Sequence, residues 1–237
     1  MQHVWNRRGV VLAVIFAALT GSLVAQEKSV KPGINDSFKN PNVQEFVTRF
    51  EGESREVYDK RFQIVDACGI KKGQAIADIG AGTGLFTRLF SEAVSKEGKV
   101  YAVDISQKFL DHINTSAKKQ KIENITTVLG TDISPKLPEN SVDVVFICDT
   151  YHHFEYPFRM LDSIHKALKP GGRLIIIDFV RIEGKSKEWT LNHVRAGQEV
   201  VEKEITSSGF RKQTEIPKIV TENYMVVFEK VAPKTKK

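Results

Sequence analysis

Short apolar runs alternate with amphipathic stretches along the middle of this chain. Val, Ile, Leu and Ala dominate the runs, and the stretches between them carry apolar residues at helical spacing. The runs predict five strands, at 75–79, 99–104, 125–129, 142–148 and 173–179. The run 142–148 is almost wholly apolar, which is typical of a parallel strand covered on both faces. Strands that alternate with helices predict an α/β fold with a doubly wound, Rossmann-like sheet.

The C-terminal end of the chain breaks this alternation. A helix is predicted near 193–207, and strands are predicted near 210–216 and 221–229. The few residues between these two strands, Pro217 among them, are too few for a crossover helix. We therefore predict seven strands that are mostly parallel, with an antiparallel last strand.

The segments around this sheet differ from it in composition. Residues 26–40 are polar and contain Pro and Gly, which predicts a linker. Two helices are predicted over 41–51 and 54–68, and we expect them to cover a site in a single domain over 41–230. Residues 231–237 are rich in lysine and predict a disordered basic tail.

The first 25 residues predict an export signal. Arg7 and Arg8 precede ten uninterrupted apolar residues, Val10–Leu19, and small residues lead to Ala25. This order is that of a secretory signal peptide, cleaved after Ala25, and it predicts a periplasmic or extracellular protein. An uncleaved membrane anchor is the alternative, and the choice between general and twin-arginine export stays open.

Composition excludes several other classes of function. The formal net charge is +6, but no basic stripe with interleaved aromatic residues is present, so we expect no nucleic-acid partner. Cys68 and Cys148 lie in apolar segments and are expected to be inert core residues. No Cys or His spacing typical of a metal site occurs, so no metal is expected. The oligomeric state cannot be predicted.

A glycine-rich segment after the first strand carries the main chemical signal. Gly80, Gly82 and Gly84 alternate with small residues and open an amphipathic helix. Such a backbone turns sharply, approaches a ligand closely and presents free N–H groups to it. Asp104 ends the second strand, where a carboxylate accepts hydrogen bonds from ribose hydroxyls. The chain is therefore predicted to bind a nucleoside-containing cofactor.

Four segments in chain order resemble motifs of the class I S-adenosylmethionine-dependent methyltransferases. They are Asp78–Gly84, Val103-Asp104, Gly130–Asp132 and Leu168–Leu174. The subgroup that they resemble most is that of the small-molecule methyltransferases of quinone biosynthesis. A nicotinamide dehydrogenase is disfavoured, because Leu85 stands where its fingerprint requires Gly or Ala.

The resemblance implies S-adenosylmethionine as cofactor and assigns its contacts. Asp78 would hold the amino end, Asp104 the ribose, and Asp132 the adenine amino group. The full set of implied cofactor-binding residues is Asp78, Gly80, Gly82, Gly84, Asp104, Ile105, Asp132, Ile133 and Asp149. Gly84 as a helix-packing residue and Asp132 as a turn residue are the structural alternatives.

The segment after the fourth strand is the candidate reactive end. In the family it faces the methyl group and a small-molecule acceptor. Asp149, Tyr151, His152 and His153 are the candidate catalytic residues; either histidine is suited to remove a proton near neutral pH, and packing is the alternative role. The predicted function is methyl transfer to a small molecule, and the alternative is a non-catalytic S-adenosylmethionine-binding module.

Overall fold

A computed structural model describes residues 26–52 and 55–231 of this chain. The predicted signal peptide or anchor over 1–25 lies outside the described residues, as does all but the first residue of the predicted tail over 231–237. Within the described part, no helix has the length and apolar character that a bilayer crossing requires.

Seven strands form one sheet. They are β1 (Ala75–Ile79), β2 (Lys99–Asp104), β3 (Ile125–Leu129), β4 (Val142–Cys148), β5 (Leu168–Phe179), β6 (Phe210–Glu215) and β7 (Asn223–Lys230). Their order is β3-β2-β1-β4-β5-β7-β6. Strands β1 to β5 pair in parallel, and β7 runs antiparallel to both β5 and β6. The predicted α/β class and the antiparallel last strand are confirmed.

Helices cover both faces of the sheet. They are α1 (Asp36–Lys39), α2 (Val43–Phe50), α3 (Glu56–Asp59), α4 (Arg61–Ala67), α5 (Leu85–Val94), α6 (Gln107–Gln120), α7 (Pro157–Ala167), α8 (Glu188–His193) and α9 (Gln198–Ser207). Successive residues of β4 alternate between two apolar clusters, because strand side chains point to opposite faces. One cluster includes residues of α7 and α9, and the other includes residues of α4 and α5.

The segments outside the central alternation depart from the predicted boundaries. The helix predicted over 54–68 forms as two short helices, α3 and α4. Strand β5 begins at Leu168 instead of residue 173, with a register irregularity opposite Val142 and Val144. The helix predicted near 193–207 begins only at Gln198, as α9, and the separate short helix α8 precedes it.

The predicted linker 26–40 is not an extended spacer. It contains α1 and packs on the domain: the backbone N–H of Val30 donates to the carbonyl of Glu155 at 2.9 Å. Asn35 is buried, and its Nδ2 donates to the carbonyl of His153 at 3.0 Å. The segment therefore forms part of the wall beside the sheet edge that carries the predicted site.

Candidate cofactor and acceptor site

A cavity of about 510 Å³ lies at the carboxyl ends of β1, β2 and β4. This edge is where open α/β sheets bind ligands, and the volume is within the usual range for a small-molecule site. The loop after β1 forms its floor, and Phe38, Phe50 and Arg55 reach it from the N-terminal segment. The predicted cover by the N-terminal helices is therefore present in the structure.

The glycine loop lies tightly against the segment after β4. Gly80 has a φ of +76°, and a Cβ added there would lie 2.3 Å from the Thr150 side chain. Gly82 has a φ of +53°, and a Cβ there would lie 3.5 Å from the Phe50 ring. Both glycines line the cavity, so a side chain at either position would occupy the space in which a ligand approaches the backbone.

Gly84 has a different role from the other two glycines. It does not line the cavity, and a Cβ there would lie 2.7 Å from the Ile113 side chain on α6. It has a φ of +81° and lies directly before the first residue of α5. The structure thus supports the alternative that Gly84 permits close helix packing.

Asp104, at the end of β2, is hydrogen-bonded to the glycine loop. Its Oδ2 accepts a hydrogen bond from the N–H of Gly82 at 2.9 Å, and its Oδ1 accepts from the N–H of Ser106 at 2.8 Å. Burial raises the pKa of this carboxyl to about 6, although both backbone donors oppose the shift. Each oxygen retains a lone pair for a ligand hydroxyl.

Asp78 lies at the same edge and is almost completely buried. Thr87 Oγ1 donates to its Oδ2 at 2.6 Å. Burial raises the pKa of Asp78 to about 7; the Thr87 hydrogen bond opposes this shift, and the negative charge of Asp104 adds to it. Two buried carboxyls beside a cavity are suited to a ligand that carries hydroxyl donors and a cationic group.

The predicted adenine contacts lie at a turn after β3. Thr131 N–H donates to the carbonyl of Ser134 at 2.9 Å, which places Asp132 and Ile133 at the tip of the turn. Asp132 and Ile105 line the cavity, whereas Ile133 does not. The contacts of these residues with a cofactor remain predictions.

Asp149 is held by two side chains from opposite sides. Arg55 Nη2 donates to its Oδ2 at 2.5 Å, and Asn223 Nδ2 donates to its Oδ1 at 2.5 Å. Burial raises the pKa of Asp149, and the Arg55 charge opposes that shift. Asp149 lines the cavity and has a φ of +48°. It therefore faces the predicted cofactor, and its two hydrogen bonds connect the start of α3 to the sheet.

Tyr151, a predicted catalytic candidate, does not line the cavity, which corrects its place in that set. Its side chain is fully buried and packs on Phe154 at a ring distance of 5.1 Å. Its hydroxyl donates to Glu204 Oε2 at 2.9 Å, and Arg195 pairs with the same carboxylate at 2.6 Å. The turn formed by Tyr151–His153 directs this residue into the core.

His152 is oriented by Asp178, an acid that none of the sequence motifs contains. Its Nδ1 lies 2.7 Å from Asp178 Oδ1, and its backbone N–H donates to Asp178 Oδ2 at 2.9 Å. Asp178 is 1% exposed and lies near the end of β5. An acid at the carboxyl end of an apolar strand is the signal that would have identified it. Since Asp178 occupies Nδ1, Nε2 is the ring nitrogen left for a ligand.

His153 and His193 lie together beside His152. Their Nε2 atoms are 3.3 Å apart, and Trp189 stacks on His193 at a ring distance of 4.7 Å. Burial and the neighbouring histidines lower the pKa of His153 to about 2 and that of His193 to about 4. Both rings are thus neutral at physiological pH, and all three histidines line the cavity.

Comparison with known proteins identifies the family. A family model described as a methyltransferase domain matches residues 77–176, which include β1 and the glycine loop. The ubiquinone/menaquinone biosynthesis C-methyltransferase UbiE from Escherichia fergusonii is 31% identical over 138 residues. Residues 77–176 of this chain are thus a methyltransferase domain, and the matches together support the class I S-adenosylmethionine-dependent type. The match covers 55% of this methyltransferase and 53% of the relative, so the chain spans about half the length of the curated relatives that it matches.

Solved structures share the fold of this methyltransferase. An S-adenosylmethionine-dependent methyltransferase from Aquifex aeolicus matches with a TM-score of 0.69 at 23% identity, covering 80% of this chain and 98% of that chain. One from Mesorhizobium loti matches with a TM-score of 0.59 at 18% identity, covering 74% and 98%. The cyclase SpnF matches with a TM-score of 0.62 at 15% identity, covering 73% and 81%. These likenesses show the fold alone, and a fold is compatible with more than one reaction.

The cofactor of this methyltransferase is S-adenosylmethionine. The residues present fit it: two glycines leave space that a Cβ would fill, and two buried carboxyls face that space. The sequence motifs predict Asp78, Gly80, Gly82 and Asp104 at this place, and the four residues do lie there. They do not predict Thr150, which contacts the loop from the other side.

Proposed function

We propose that this methyltransferase transfers a methyl group from S-adenosylmethionine to a small-molecule acceptor bound at the histidine end of the cavity. The observation that carries the proposal is that a single cavity extends from Asp104 and Asp132 to His152 and Trp189. One part of it has the polar groups that suit a nucleoside. The other part has aromatic rings and imidazoles, which leaves room for a second molecule beside the first.

The acceptor end favours an aromatic molecule with an ionisable hydroxyl. Its wall includes Phe38, Phe154, Phe179, Trp189 and Met160, so most of the contact surface is apolar. Such walls bury a planar ring, and a few polar groups fix its orientation. The curated relatives are named for ubiquinone and menaquinone biosynthesis, which supports an acceptor related to quinones.

Different residues of the chain bind the cofactor, align the acceptor and remove its proton. When bound, S-adenosylmethionine supplies a methyl group activated by a sulfonium. The glycine loop and Asp104 position the cofactor, and the aromatic wall aligns the acceptor with it, which contributes much of the rate in a displacement of this kind. Asp178 holds His152 with Nε2 available to remove the acceptor's proton. Arg49 and Phe50 at the end of α2 line the cavity and would lie beside the bound molecules.

Binding of S-adenosylmethionine and S-adenosylhomocysteine to the full chain, measured by calorimetry, tests the proposal first. We expect micromolar dissociation constants. A panel of phenols, catechols and quinols is then screened for S-adenosylhomocysteine formation, with Asp178→Asn as the matched variant. Binding without turnover on any acceptor would favour the non-catalytic binding module. Absence of binding to the folded protein would contradict the proposed function.

We also propose that the protein is exported from the cytoplasm. The support is the charged and then apolar order of residues 1–25, with small residues before Ala25. Cell fractionation and N-terminal sequencing of the mature protein test this. A chain that begins near Gln26 in the periplasm or medium is expected. An intact N-terminus in the membrane fraction would support the anchor instead, and an intact chain in the cytosol would contradict both.

A further inference from the structure

We propose that His152, His153 and His193 form a binding site for a divalent ion of the zinc class at the acceptor end of the cavity. Each histidine offers one ring nitrogen, and these three atoms all lie within 4.8 Å of one another. The Nε2 atoms of His153 and His193 are 3.3 Å apart. Two nitrogens bonded to one tetrahedral zinc at about 2.0–2.1 Å are separated by about 3.3 Å, so this pair already has the spacing of two ligands.

The third ligand has the support that metal-binding histidines usually have. Asp178 Oδ1 lies 2.7 Å from His152 Nδ1, and Asp178 also accepts the backbone N–H groups of His152 and Phe179. Such a carboxylate fixes the tautomer of a ligating histidine and raises its basicity. The buried Asp178 thus orients Nε2 of His152 and supplies a negative charge beside a bound cation.

The charges around the cluster also bear on a bound ion. Lys31 and Arg49 act on His193, and their charges oppose a cation there. Asp178, whose Oδ1 lies 2.7 Å from Nδ1 of His152, supplies a negative charge that offsets them.

Two of the three rings now pair with each other. Between His153 and His193, one Nε2 must donate to the other, across 3.3 Å. A bound ion would replace this long hydrogen bond between two imidazoles by two metal–nitrogen bonds.

Three protein ligands leave one coordination position for a water or an acceptor oxygen, as in catalytic zinc sites. This consequence rests on the proposed function, since it places the acceptor in the same part of the cavity. A hydroxyl on the ion loses its proton more readily than a free one, and that proton passes to water. With the ion bound, His152 is a ligand; without it, His152 remains the proton acceptor.

Metal binding to the full chain, prepared without a polyhistidine tag and stripped with a chelator, tests the site. Zn²⁺ affinity is measured by competition with a chromophoric chelator, and Co²⁺ is followed by its visible absorption. We expect one equivalent of either ion and the intense bands of four-coordinate Co²⁺. His193→Ala is expected to weaken Zn²⁺ binding more than tenfold, and Asp178→Asn by about 10- to 100-fold.

His112→Ala is the matched control, since His112 is half-buried on α6 and outside the cluster. It is expected to bind Zn²⁺ as the unaltered chain does. Calorimetry with S-adenosylhomocysteine on the same samples reports on folding and on the cofactor site independently. Cofactor binding without stoichiometric Zn²⁺ binding would overturn the metal site alone, as would Zn²⁺ binding that His193→Ala leaves unchanged. Zn²⁺ binding without cofactor binding would overturn the proposed function and leave the metal site intact.

Discussion

Gly80 lies so close to Thr150 that a Cβ at position 80 would stand 2.3 Å from the threonine side chain. This contact joins the loop after β1 to the segment after β4, and both line the cavity. The width of the cavity at this point therefore depends on the absence of a side chain at Gly80.

Gly80→Ala is expected to raise the dissociation constant for S-adenosylhomocysteine at least tenfold, because either the loop or Thr150 must move. Gly73→Ala is the matched control: its φ of +80° is similar, and nothing lies within 4 Å of an added Cβ. Both variants carry the backbone cost of about 1–2 kcal/mol for a left-handed residue. Calorimetry should show the loss of affinity only at Gly80; equal affinities would contradict the close-approach role.

Asp104→Ala is expected to weaken cofactor binding by about 1.5–3 kcal/mol, a loss of tenfold or more. The carboxylate accepts from the Gly82 N–H, and we expect it to accept from the ribose hydroxyls as well. Asp111→Ala, on the exposed side of α6, is the control and should bind normally.

The affinity for S-adenosylhomocysteine is also expected to depend on pH through Asp104. Its pKa of about 6 means that the carboxyl takes up a proton as the pH falls from 7 to 5, and a neutral carboxyl is a weaker acceptor than a carboxylate. Affinity should therefore fall over that range. Asp104→Ala should flatten this dependence, and an equally steep one in the variant would assign it to another group.

Arg55→Ala is expected to destabilise the fold by about 3 kcal/mol, because it leaves the buried Asp149 without its counterion. Arg61→Ala removes stacking on Tyr58 and Phe62 and a hydrogen bond to the Tyr58 carbonyl, but it leaves no buried charge unpaired and should cost only about 1 kcal/mol. Urea unfolding measures both values. A double-mutant cycle with Asp149→Ala isolates the pair, and a coupling energy near zero would contradict the link between α3 and the sheet.

Asp78 is expected to make the cofactor-free protein less stable as pH rises. Its pKa is about 7 in the folded chain and 3.8 as a free side chain, so between these values the folded state holds a proton that the unfolded state has lost. The pKa values of His153 and His193 are lowered in the folded chain, so these two residues make the protein more stable as the pH rises towards their ordinary pKa of 6.5. The informative quantity is therefore the difference between the original chain and Asp78→Asn.

The unfolding free energy of the original chain, taken relative to that of Asp78→Asn, should decline between pH 4 and pH 7. Urea unfolding of both proteins at pH 5, 6 and 7 measures it. Parallel stability profiles would show that Asp78 does not retain its proton in the folded state.

Asp178→Asn is expected to lower kcat by about 10²- to 10⁴-fold with any acceptor found, because the amide no longer fixes the tautomer of His152. The KM for S-adenosylmethionine should not change, since Asp178 does not line the cofactor end. His165→Ala, on α7, is the control. A rise in KM with kcat unchanged would assign Asp178 a role in binding only.

The sequence by itself determined the order of strands and helices and the cofactor end of the site. Apolar runs and helical spacing are local patterns, and the short gap before β7 excludes a crossover connection. The glycine loop comes directly after the first strand, and Asp104 ends the second. Positions at the ends of parallel strands converge on one edge, so these residues could be predicted to meet.

The tertiary structure alone decided the acceptor end. Tyr151 and His152 are neighbours in sequence, yet one turn sends the first into the core and the second into the cavity. Asp178 and His193 reach the same place from β5 and α8, and Asn35 reaches it from a segment that reads as a linker. Side-chain direction and contacts between distant segments depend on how elements pack against one another, and neither periodicity nor motif spacing encodes that packing.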